Sequence, residues 1–181
     1  MEITSILKLI VWKIKYFGKL KINITRHIRK GARIKINNGK IIIGRGLGLN
    51  YNSQISANGG NIEIGKGVNF NVNCICVSHN FIKIEDKCSF GPNVCIYDHD
   101  HAFDENGKVP GKFKNEDVFI GENVWVGANT VILRGTKIGK NSIIGAGCIV
   151  KGEVPNNSIV TMDRKLIIKK LEKKRKNINE N

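Results

Sequence analysis

Residues 120–150 read IGENVWVGANTVILRGTKIGKNSIIGAGCIV. An aliphatic residue stands at Ile120, Val126, Ile132, Ile138, Ile144 and Val150, every sixth position. An α-helix cannot hold a period of six on one face, because it turns every 3.6 residues, and a half-buried strand alternates with period two. A period of six fits a solenoid whose coil has three short flat faces, one hexad to each face. Each apolar side chain then points inward and stacks on its equivalent three hexads along, Ile120 on Ile138 and Val126 on Ile144. Neighbouring coils pair at the ~4.8 Å spacing of β-strands.

The same beat runs upstream through Ile43, Leu49 and Ile55, then Ile64, Phe70 and Cys76, then Ile84, Phe90 and Ile96. Glycine follows seven of the fifteen inward positions, which suits a corner where the backbone turns tightly and takes positive φ. The fourth residue after an inward position is small: Val68, Cys74, Cys88, Val94, Val124, Thr130, Thr136, Ser142 and Cys148. The cysteines in this slot, with Cys76 in an inward slot, read as compact buried hydrophobes. A fixed internal period is the signature of a repeat architecture. The fold class expected is an all-β solenoid.

With 181 residues, 41% of them hydrophobic, the chain is long enough for one domain with a real core. No apolar run approaches the ~20 residues of a membrane span. Five cysteines without a CxxC pair suit a reducing compartment, so a cytoplasmic location is expected. The net charge of +15 is unevenly placed. Residues 1–40 hold 11 Lys/Arg and one acid, residues 164–181 hold eight and two, and the stretch between is near neutral. A nucleic-acid enzyme more often carries its basic stripe on the folded body, so no nucleic-acid partner is expected.

The chain divides into a basic amphipathic N-terminal segment (1–33), the repeat domain (34–160) and a basic C-terminal helix and tail (161–181). In the first, Ile3, Ile6, Leu7, Ile10, Val11, Ile14 and Phe17 fall near one helical face, with Lys8, Lys13, Lys15 and Lys19 between them. Two readings stand here. The helix docks on the domain or a neighbouring subunit, or it lies on an anionic membrane surface, peripheral to the inner face of the membrane.

The repeat stops once. Residues 97–119, YDHDHAFDENGKVPGKFKNEDVF, are polar and hold the turn-formers Gly107, Pro110 and Gly111. A long loop inside a regular solenoid is commonly functional. It opens on Asp98, His99, Asp100 and His101, and imidazole is the side chain suited to general-base work near neutral pH. Asp98 and Asp100 both stand within reach of an imidazole nitrogen, and the sequence does not choose between them.

The repeat pattern resembles the hexapeptide-repeat acyltransferases. That resemblance implies a left-handed parallel β-helix, although connections between parallel strands are otherwise right-handed almost without exception. The motif from Tyr97 to Asp104 resembles the catalytic loop of the sugar O-acetyltransferase branch, which includes galactoside, maltose, capsule and lipopolysaccharide acetyltransferases. The stretches Val118–Ala128 and Ile143–Val150 resemble the strands leading to its cofactor groove.

The resemblance implies acetyl-CoA as acyl donor, a homotrimer with the site between neighbouring solenoids, and a sugar acceptor in cell-surface polysaccharide or glycoconjugate synthesis. It places the catalytic base at His101 and an acceptor-binding asparagine at Asn71. His79 stands where the galactoside enzyme has an aspartate, which points to a different sugar hydroxyl. His99 joins the acceptor side. Trp125, Ala128, Ala146, Lys151 and Lys165 fall on the cofactor side, with the Ala128 N–H as oxyanion donor. Residues Lys151-Gly152 and 161–165 depart from the family's pattern, so the adenine contacts do not carry over. No metal is expected at the site.

Three other readings share parts of this pattern. An antibiotic acetyltransferase has the same fold and a histidine at the loop. A zinc enzyme like the γ-class carbonic anhydrases would draw on His79, His99 and His101. A non-catalytic scaffold would use its basic ends to bind membrane or nucleic acid.

Overall fold

The computed structural model describes residues 3–23 and 25–163. After helix α1 (Ile3–Lys15), short strands succeed one another around three parallel sheets. The first sheet has seven strands, from Leu20–Ile22 to Glu153–Val154. The second has seven, from His27–Ile28 to Ile159–Val160. The third has six, from Arg33–Asn37 to Ile149–Val150. Within each sheet, strands one coil apart are hydrogen-bonded neighbours. The result is a parallel β-solenoid of about six turns.

All fifteen inward positions are buried. Their stacking is direct: Ile120 pairs in register with Ile138, and Val126 with Ile144. One inward column runs Leu49–Phe70–Phe90–Val126–Ile144. Within it the Phe70 and Phe90 rings stack with centroids 4.7 Å apart.

The coils are not all three hexads long. Leu20 pairs with Ile41 and Ile41 with Ile62, and each of these steps is half a hexad longer. The three-hexad step appears only after the insertion, as from Phe119 to Lys137. The extra length in the early coils goes to the third sheet, where Arg33–Asn37 and Gln54–Asn58 have five residues against two in Val131–Ile132. The sheets also begin at Leu20, inside the stretch 1–33 that the sequence sets apart as an N-terminal segment. The expected C-terminal helix over 161–181 falls almost wholly outside the described residues; Thr161–Asp163 belong to no regular element.

The corners correct the reading of glycine. None of the seven glycines that follow an inward residue has positive φ. Their need is space: a Cβ on Gly127 would lie 2.5 Å from the Ala146 nitrogen, and one on Gly121 2.7 Å from the Lys140 nitrogen. The left-handed turn comes two residues later, and asparagine commonly takes it. Asn93, Asn123, Asn129 and Asn141 have φ between 57° and 59°, a conformation that asparagine tolerates better than other non-glycine residues. Their amides also link coils: Asn123 Nδ2 donates to Asn141 Oδ1 at 3.1 Å, and Asn141 Nδ2 to Asn157 Oδ1 at 3.2 Å.

The small slot is buried throughout and also polar in action. Thr130 Oγ1 donates to the Gly145 carbonyl at 3.0 Å, and Ser142 Oγ to that of Pro155 at 2.9 Å. Cys74 and Cys88 donate in the same way, to the Gly91 and Gly121 carbonyls. Burial pushes both thiols up to about 11.

Helix α1 covers the open end of the first coil. Leu9 is buried against it, with Trp12 and Tyr16 packed alongside. Ser5 Oγ donates to the Ile28 carbonyl at 3.2 Å, and Lys8 Nζ to the Arg29 carbonyl at 2.8 Å. A covered terminal edge cannot template pairing with another chain.

Two substitutions separate the two corner demands. Asn141→Ala is expected to cost about 1–2 kcal/mol, while Asn141→Gly retains most of the stability because glycine takes positive φ without penalty. Gly127→Ala, at a corner with no such φ, is expected to cost about 1–3 kcal/mol through overlap with the next coil. Thermal unfolding reads all three, at roughly 2–4 °C per kcal/mol for a chain of this size.

Candidate active site

The insertion is no irregular loop. Strand His99–Asp104 returns antiparallel along Gly107–Asn115, forming a hairpin arm at the corner between the third and first sheets. Its base rests on Asp98, which is fully buried. The carboxylate accepts the His79 N–H at 2.7 Å and the Asn80 N–H at 2.8 Å. Ser78 Oγ lies 2.6 Å from Oδ2, and His99 Nδ1 3.1 Å from Oδ1. Burial alone would raise the Asp98 pKa. The hydrogen bonds from His99, the His79 N–H, Ser78 and the Asn80 N–H outweigh it and hold the carboxyl below the usual carboxylate range.

Three histidines gather around one phenyl ring. His79 and His99 stack face to face, with centroids 3.7 Å apart. Phe113, from the returning strand, stands edge-on to His79 at 4.3 Å and lies 4.9 Å from His101. His79 is pushed down from its ordinary value, first by burial and then by the neighbouring His99, with Asp98 opposing. It is therefore neutral at neutral pH. His99 Nδ1 is already engaged by Asp98. Among the described residues no three His, Cys, Asp or Glu side chains converge to hold a metal.

Neither carboxylate serves His101. Asp98 is committed to His99, and Asp100 accepts from Arg134 Nε at 2.6 Å. Arg134 also pairs with Glu116, just past the returning strand, so one guanidinium ties both ends of the arm to the coil that follows. His101 itself is exposed on the arm.

The remaining candidates stand elsewhere on the prism. Asn71, Ala128 and Ala146 follow Phe70, Val126 and Ile144 at the corner between the second and third sheets. The third sheet separates that corner from the histidines, and its strand Ile75–Ser78 spans roughly 10–13 Å. Trp125 points outward from the second sheet, 55% exposed, in a row with Ile143 and Ile159. Asn71 Oδ1 accepts the Val72 N–H at 2.8 Å. Ala128 lends its carbonyl to the Gly147 N–H, while among the described residues no acceptor pairs with its own N–H. Lys151 is exposed at the same corner as the arm, two coils further along the stack. Lys165 lies outside the described residues. A groove of about 370 Å³ on the first sheet, lined by Glu63, Lys83, Glu85, Asp86 and Glu122, touches none of these residues.

Residues 117–152 match the family described as bacterial transferase hexapeptide, six repeats. A maltose O-acetyltransferase from Clostridium difficile is 26% identical over 96% of this chain and 80% of its own, with a TM-score of 0.57. Residues 117–152 carry the repeat of that family, and the rest of the chain is similar in fold to the maltose O-acetyltransferase. An N-acyltransferase from Bacillus cereus, solved with dTDP and coenzyme A, shares the fold with a TM-score of 0.64, at 21% identity over 88% of each chain. A hexapeptide-repeat acetyltransferase from Vibrio cholerae, complexed with acetyl coenzyme A, shares it with a TM-score of 0.58, at 24% identity. The match covers 72% of this chain and 65% of that protein's length. No curated protein matches.

The structure brings His79, His99 and His101 together and leaves Asn71, Trp125, Ala128 and Ala146 apart from them within one chain. It also adds two residues that sequence reasoning missed. Phe113 has no signal beyond its apolarity in a polar stretch. Arg134 had one: it is the only charged residue between Glu122 and Lys137, in the first coil after the interruption.

Asp98→Asn leaves one acceptor atom where two carboxylate oxygens now serve four donors, and is expected to cost about 1–3 kcal/mol. Because the folded-state pKa is depressed, that stabilisation is fully present above the unfolded value near 3.9 and is lost as pH falls through the folded value. Thermal unfolding of wild type and Asp98→Asn should therefore differ at pH 6 and converge as the pH is lowered below about 4.

Proposed function

We propose that this acyltransferase moves the acetyl group of acetyl-CoA to a hydroxyl of a sugar in cell-surface polysaccharide or glycoconjugate synthesis. His101 acts as general base. One observation carries the reading: the repeat is interrupted by a hairpin arm that presents an exposed imidazole which, among the described residues, no carboxylate engages. Similarity to the maltose O-acetyltransferase supports a sugar hydroxyl as acceptor.

The chemistry is direct transfer. The acceptor hydroxyl gives its proton to the His101 imidazole as its oxygen attacks the thioester carbonyl. The tetrahedral oxyanion accepts a hydrogen bond from the Ala128 N–H. The C–S bond then breaks, and the CoA thiolate takes the proton back from the imidazolium. A cysteine nucleophile is not needed: Cys74 and Cys88 are buried and protonated.

The separation of candidates within one chain supports a homotrimer. The histidine edge of one solenoid would face the Asn71, Ala128 and Ala146 edge of its neighbour, so that acceptor and donor meet between them. Trp125, Ala146, Lys151 and Lys165 would line the donor's path, and Asn71, His79 and His99 the acceptor's.

His101→Ala is expected to lower kcat by about 10²–10⁴-fold and to leave thermal unfolding and elution volume unchanged, since the side chain is exposed. Turnover is measured with acetyl-CoA against a panel of sugars, amino sugars and aminoglycosides. Wild-type turnover in the variant would overturn the base assignment, and transfer confined to amines or antibiotics would overturn the acceptor class.

A further inference from the structure

Helix α1 carries two apolar stripes. Ser5, Leu9, Trp12 and Tyr16 recur at steps of four, three and four, and face the first coil. At roughly 100° per residue, Leu7, Ile10, Val11 and Ile14 lie on the opposite side. They are 58%, 49%, 57% and 72% exposed, and Phe17, just beyond the helix, is 91% exposed. Single exposed apolar residues are ordinary, but a contiguous row marks an interaction surface. The solenoid has no use for this row, because the other stripe already supplies the packing.

The charges around the row say what covers it. On the helical wheel Lys8 and Lys15 border it on one side and Lys13 on the other. Lys13, Lys15, Lys19, Lys21, Arg26, Lys30 and Arg33 are exposed, and residues 3–40 contain no Asp or Glu. A second copy of this face would set cations against cations. An apolar row bordered by cations and free of acids is complementary to acyl chains beneath anionic headgroups. At 13 residues, about 20 Å, the helix is too short to cross a ~30 Å hydrocarbon core and so lies in its plane. Among the described residues no helix is long and apolar enough to cross a membrane.

We propose that α1 is an in-plane docking helix that seats the N-terminal end of the solenoid on a bilayer containing anionic lipid. Its inner stripe grips the protein and its outer stripe enters the interface, with the coils stacked away from the surface. This docking is independent of the acetyl-transfer chemistry and is tested without it.

The protein is sedimented with phosphatidylcholine vesicles, with and without phosphatidylglycerol. The expected result is roughly tenfold or greater enrichment with the anionic vesicles, weakened by high salt. A triple variant, Leu7→Gln, Ile10→Gln and Ile14→Gln, leaves the inner stripe intact. It is expected to lose that enrichment about tenfold or more, with unchanged thermal unfolding and elution volume. The proposal is overturned if wild type stays in the supernatant with both vesicles. It is also overturned if the variant sediments as well as wild type, or if the variant shifts to a smaller oligomer, which would mean that another copy covers the row.

Discussion

Consecutive coils lie one strand spacing apart, and the whole molecule follows from that closeness. An inward side chain must rest on its counterpart in the next coil, as Phe70 does on Phe90. Corner backbones approach until a single Cβ becomes too much, as at Gly127 over Ala146. Groups trapped at the corners must find partners one coil away. Thr130 and Ser142 hydroxyls, and the Cys74 and Cys88 thiols, supply donors to neighbouring carbonyls. The asparagine corners combine the left-handed turn with an amide that bonds along the stack.

Such regularity gives the solenoid few places to build a site. A side chain on a flat face points either into a packed core or into open solvent. The chain solves this by leaving the third sheet at Asp98 and entering the first sheet only at Val118. The cost of burying the Asp98 carboxylate is offset by donors from Ser78, His79, Asn80 and His99, which also fix the arm to the preceding coil. Arg134 fixes it to the following one. The arm is therefore held from both sides at its base, while His101 and Phe113 stand out from the prism.

The same economy governs the ends of the stack. A solenoid presents an unpaired edge at its terminus, and α1 covers the first one with Leu9, Trp12 and Tyr16. A helix used only as a cap would have a polar outer face. Here that face is apolar and bordered by lysine, which gives the cap a second surface.

The beat of six was enough to place fifteen inward side chains of the core, because a coil with three faces leaves no other use for an aliphatic residue at each sixth position. All fifteen are buried, and Ile120 meets Ile138 as the spacing implies. The purpose of the corner glycines was misread, since sequence shows that a small residue is needed but not whether φ or space requires it. The longer early coils were also missed: extra residues on a strand do not disturb the inward beat. At the site, the histidines were legible because they sit together in the chain. Their partners were not. Asp98 stands next to His99 but is held by residues a full coil away, Phe113 reaches the rings only through the antiparallel return, and Arg134 meets Asp100 across 34 residues of sequence. Period and composition are local properties, so the chain carried them openly. Which side chains share a corner depends on how the coils stack and where the arm folds back, and only the tertiary structure decided that.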